Sequence, residues 1–178
     1  MSERIILDAG HGGRDSGASF GERVEKDDNL AMTLEVGRIL EEQGFDVVYT
    51  REEDIYQAPF RKATIANELG GDLFVSIHRN SSGTPNQYQG IETLIYSGGG
   101  FPEEVAENIN DELKDLGYID LGVEERPRLV VLNSTQMPAV LVEVGFINSD
   151  ADNELFSTMF EETARAIANG IAESFEEE

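Results

Sequence analysis

What most constrains this chain is an alternation. Short apolar runs rich in β-branched residues (5–7, 45–50, 73–77, 91–96, 129–132 and 139–144) are separated by longer stretches, most of them with apolar residues at helical spacing. The helical stretches are 27–43, 58–69, 102–116, 151–156 and 158–175, and Gly44, Gly70-Gly71 and Gly117 stop the first three. Strands alternating with helices predict an α/β sandwich, a mostly parallel central sheet of about six strands with helices on both faces. A chain of 178 residues is long enough for one domain that buries roughly 70% of its unfolded surface. No repeat or linker divides it, so 1–178 reads as a single domain. Segments 14–28 and 120–127 read as polar loops, and Glu176-Glu177-Glu178 as a frayed end.

Ligands of such sheets sit outside the carboxyl ends of the strands. The chain has two histidines, and both fall there: His11 in the glycine-rich turn Gly10-His11-Gly12-Gly13, and His78 directly after the run 73–77. With no cysteine, a metal site must be built from His, Asp or Glu. His11, Glu25 and His78 form the candidate set. Two imidazoles and a carboxylate give zinc three ligands and leave a fourth position for water, the mark of a catalytic site. Glu143 is the candidate general base. It interrupts the apolar run Ala139 to Phe146, where burial raises a carboxyl pKa toward the range a proton shuttle needs. The residues alone leave other readings open: a turn histidine, an edge glutamate facing water, and, for Glu25, an ordinary helix-start acid beside Glu22, Asp27 and Asp28.

The formal net charge of −23, from 36 acidic and 13 basic residues, argues against nucleic acid and against anionic membrane as partners. No apolar run approaches the roughly 20 residues of a membrane span, and nothing reads as a signal peptide.

Five stretches, taken together and in order, resemble the zinc-dependent N-acetylmuramoyl-L-alanine amidases of the Amidase_3 family. They are Leu7 to Gly13, Val24 to Asp27, Tyr49-Thr50-Arg51, Val75 to Asn80 and Met137 to Phe146. The resemblance covers essentially the whole chain. It implies one zinc ion held by His11, Glu25 and His78, with Glu143 as catalytic glutamate. It also implies peptidoglycan as substrate, hydrolysis of the amide between N-acetylmuramic acid and L-alanine, and action at the cell wall as an autolysin or phage lysin. Asn80 is a candidate contact to a metal ligand or to substrate.

The chain is expected to be a monomer, with wall targeting either carried by a separate or removed domain or weak. His78 and Glu143 are separated by 64 residues (79–142), largely filled by expected strands and helices. That leaves no room for the blocking helix some family members insert there, so an open site is expected. The acidity predicts that salt raises activity on whole walls more than on small muropeptides. The rival readings are a wall-binding module without catalysis and a stem-peptide peptidase.

Overall fold

The computed structural model describes residues 1–176. Its elements in chain order are β1 (Arg4–Ala9), β2 (Ser19–Phe20), β3 (Arg23–Val24), α1 (Glu25–Glu42), β4 (Asp46–Tyr49), α2 (Pro59–Leu69) and β5 (Leu73–Asn80). There follow β6 (Ile91–Ile95), α3 (Phe101–Asp115), β7 (Asp120–Glu125), α4 (Val130–Asn133), β8 (Ala139–Phe146), α5 (Asp150–Thr158) and α6 (Phe160–Glu176). Six strands form one sheet in the order β4-β1-β5-β8-β6-β7, and β2 and β3 form a small hairpin. The neighbours β4, β1, β5 and β8 are parallel, while β6 runs antiparallel to β8 and β7 parallel to β6.

The central strands are apolar on both faces because both faces are covered. In β1, Ile5 and Leu7 face a core shared with α1, α3 and α6, while Ile6 faces a smaller core shared with α2 and α4. Helix α1 buries Met32, Val36, Ile39 and Leu40, the three-and-four spacing of one helical face. Helices α3 and α6 approach so closely that a Cβ on Gly170 would lie 2.6 Å from the Ile109 Cα. Pro59 opens α2 at a position where its missing N–H costs nothing. Among the described residues no helix is long and apolar enough to cross a membrane.

Segment 14–28, expected as a loop, contains the hairpin β2–β3 and the start of α1 at Glu25. Two expectations about the sheet also fail, and they compensate. Residues 120–127 were expected as a loop, yet 120–125 form edge strand β7. Its ladder with β6 shifts register between Ile91 and Thr93, and Gly122 has φ +95. A bulged, charged edge strand shows no alternation to read. The run 129–132 was expected as a strand but enters helix α4. Both flanks of β8 are already taken by β5 and β6, so Val131 and Leu132 are buried against the sheet face instead. Tertiary packing overrides β-propensity there. The expected count of six sheet strands therefore holds with one member exchanged. Glu176 is the last residue of α6; Glu177 and Glu178 lie outside the described residues.

Candidate metal centre

β1 delivers its chain end into a turn where His11, Gly12 and Gly13 all have positive φ, +62 at His11. A non-glycine residue in this region carries strain of about 1–3 kcal/mol and persists only when its surroundings fix it. Here buried Arg51 does so. Its guanidinium donates to the carbonyls of Ala9, Gly10 and Lys26. Lys62 Nζ donates to Ala9 O, and Asn29 Nδ2 to Gly10 O. Below the turn, Asp8 is wholly buried, paired with Lys62 Nζ at 2.8 Å and hydrogen-bonded by Thr50 and Ser76.

His78 lies within β5 rather than just after it, because the strand continues to Asn80 through a register shift against β8. Glu25 is the first residue of α1 and is buried, whereas Glu22 and Asp27 are exposed and Asp28 pairs with Arg79. The competition among the four acids is thus resolved by position. Glu25 Oε1 lies 3.3 Å from His11 Nε2 and accepts from the Ala18 amide; Oε2 lies 3.1 Å from His78 Nδ1 and accepts from Asn29 and the Arg79 amide. Ligand atoms of His11, Glu25 and His78 all fall within 4.8 Å of one another. Glycine makes this closeness possible. A Cβ on Gly10 would meet the His78 ring at 2.3 Å, and one on Gly17 would meet Glu25 Oε1 and His11 Cδ2 at 2.6 Å.

The electrostatics describe a site built for a cation. The hydrogen bond to Glu25, helped by Asp15, lifts His11 to about 9 against the cost of burial. Burial pushes Glu25 up, but the two imidazoles outweigh it and hold the carboxyl well below the usual carboxylate range. Asp15, which sequence reasoning missed, lies 2.8 Å from His11 Nδ1 and turns Nε2 toward Glu25. A carboxylate behind a ligating histidine fixes its tautomer and orientation. Two nitrogens and one carboxylate oxygen suit zinc, and the set is one ligand short of four.

Glu143 stands in register with His78 on one side and Glu92 on the other. Its Oε2 is buried without a hydrogen-bond partner. Burial raises its carboxyl to about 7, with His78 pulling the other way. Among the described residues Asn80 makes no hydrogen bond to the triad; its side-chain amide donates to Glu92 Oε1 at 2.9 Å. A cleft of about 270 Å³ opens over the two histidines, walled by Pro59, Leu129, Val130, Val131 and Leu141. The side chains of His11 and His78 keep 27% and 17% exposure, so solvent reaches both rings. Larger hollows of the surface lie away from the triad and hold no histidine.

Residues 5–173 match the family described as N-acetylmuramoyl-L-alanine amidase, Amidase_3. The chain is similar to the N-acetylmuramoyl-L-alanine amidase CwlM of Bacillus licheniformis, 35% identical over 178 residues, which cover 97% of this chain and 68% of that protein. The crystal structure of an N-acetylmuramoyl-L-alanine amidase from Clostridium difficile 630 superposes with a TM-score of 0.92 at 28% identity, covering 98% and 97% of the two chains. The catalytic domain of CwlV, an amidase from Bacillus (Paenibacillus) polymyxa var. colistinus, superposes with a TM-score of 0.87 at 34% identity, covering 98% of each.

Proposed function

The chain belongs to the N-acetylmuramoyl-L-alanine amidase family, and from that premise we propose that residues 1–178 form a zinc-dependent catalytic domain acting on the bacterial cell wall. Its substrate is peptidoglycan and its target the amide between the lactyl carbonyl of N-acetylmuramic acid and L-alanine. His11, Glu25 and His78 would hold one zinc ion. When bound, such an ion supplies Lewis acidity, polarising a carbonyl and bringing the pKa of water near 7.

The chain's own residues do the rest. Asp15 keeps His11 in the tautomer that presents Nε2. Glu143 takes a proton from the attacking water as its oxygen joins the lactyl carbonyl carbon. As the C–N bond breaks, Glu143 returns that proton to the leaving alanine nitrogen. A general base serves best with a pKa near the working pH, and a buried carboxyl at about 7 meets that demand. The cleft sets an apolar wall beside the histidines and leaves both open to substrate.

The observation that carries this reading is the orphaned Glu143 Oε2 in register with a ligand histidine. Buried polar atoms are nearly always partnered, and an unpartnered one beside such a site is placed for a reactant. Digestion of purified peptidoglycan, with products read by mass spectrometry, tests it. Stem peptides released with a new L-alanine amino terminus support the amidase. Intact walls with tight binding point to a binding module, and cuts inside the stem peptide to a peptidase.

A further inference from the structure

Resting on the amidase reading, we propose that Arg128 selects substrate by binding a free carboxylate on the peptide side of the scissile amide. Arg128 lines the same cleft as His11 and His78. Its side chain is exposed, and among the described residues it has no hydrogen bond, ion pair or ring contact. The other cation of the cleft, Lys62, is buried and committed to Asp8 and the Ala9 carbonyl. The other acids of the cleft are engaged as well, Asp8 with Lys62 and Asp15 with His11. Arg128 therefore brings five donors to the cleft with no internal acceptor to satisfy them.

Its backbone is fixed although its side chain is free. The Arg126 amide donates to Ile95 O at 2.7 Å, the Leu129 amide to Arg126 O at 3.2 Å, and Asn133 Nδ2 to Pro127 O at 3.1 Å. The guanidinium thus swings from an anchored turn at the head of the apolar wall Leu129, Val130 and Val131. Substrate chemistry decides what it meets there. The sugar side of the scissile bond offers hydroxyls and an acetamido group, all neutral, and the substrate's carboxylates lie on the peptide side. A planar guanidinium and a carboxylate pair through two parallel hydrogen bonds. Against a net charge of −23, a local cation also offsets the repulsion an anionic peptide meets on approach.

The test uses two N-acetylmuramoyl-dipeptides, identical except that the second residue's carboxyl nearest the scissile bond is free in one and amidated in the other. The zinc-loaded protein is expected to favour the free acid by roughly tenfold in kcat/KM, mostly through KM. Arg128→Ala should bring the ratio to about one while leaving turnover of the amidated compound unchanged, and Arg128→Lys should keep an intermediate ratio. The wild-type preference should shrink as salt is added. Equal use of both compounds by the wild type, or an undiminished preference in Arg128→Ala, would overturn the proposal. Turnover of neither compound by the wild type would overturn the amidase reading beneath it, and the proposal with it.

Discussion

Replacing Gly10 by alanine is the sharpest way to ask whether the triad geometry matters. The methyl group would sit 2.3 Å from His78 Cε1, 2.4 Å from Nε2 and 2.6 Å from Nδ1. Carbon atoms rest at about 3.5–4.0 Å, so the ring must retreat by roughly 1 Å. Gly10 does not have a positive φ, so the backbone accepts alanine, and the three atoms nearest the new methyl group all belong to the His78 ring. A metal ligand tolerates only a few tenths of an ångström. Zinc affinity should therefore drop by at least about 100-fold, with a comparable loss in turnover at limiting zinc. Overpacking should cost the fold only about 1–3 kcal/mol. Gly83→Ala is the matched control, since its Cβ would find only Gln87 Oε1 at 4.0 Å. Affinity is read by competition with a chromogenic chelator, folding by urea titration. A Gly10→Ala protein that binds zinc and turns over like the wild type would refute the reasoning.

Asp15→Asn should weaken zinc binding by about 10–100-fold without unfolding the protein, because His11 loses the carboxylate that orients it; chelator competition measures this. Metal-stripped protein should lose stability as pH rises. His11 titrates at about 9 when folded and 6.5 as a free side chain, so its contribution is complete below about 6.5 and gone above 9. Urea midpoints at pH 6 and pH 9 should differ by on the order of 3 kcal/mol of stability, and a flat or rising profile would contradict the His11–Glu25 pairing. Lys62→Met should destabilise by about 3–5 kcal/mol in urea, because Asp8 keeps its buried charge with only two hydroxyls to satisfy it.

Three of the four proposed site residues were legible because each stands where local pattern and chemistry agree. His11 and His78 end apolar runs, and Glu143 breaks one. Glu25 was not separable from its acidic neighbours by any local rule, and only the family resemblance singled it out. What set it apart is burial under Ala18, Asn29 and Arg79, contacts between residues 7, 4 and 54 positions away. Asp15 stayed hidden because it reaches His11 through a tight turn, closed by the bridge between Gly12 and Asp15, and not along a helix face. Lys62 carries no local mark of its burial, because its partner Asp8 lies more than 50 residues earlier in the chain. Arg128 fell between the expected loop 120–127 and the expected strand 129–132. Its place on the cleft depends on α4 lying across the sheet, which the β-branched run 129–132 disguises.

The central claim is that one zinc ion at His11, Glu25 and His78 works with Glu143 to cut the amide. The direct measurement is a zinc titration of metal-stripped protein, following bound zinc and release of stem peptides with a free L-alanine amino terminus in parallel. Bound zinc and activity should rise together and level off at one ion per chain. Glu143→Gln should bind zinc equally well while losing at least about 100-fold in rate. Full activity in the stripped protein, or near wild-type activity in Glu143→Gln, would contradict the account.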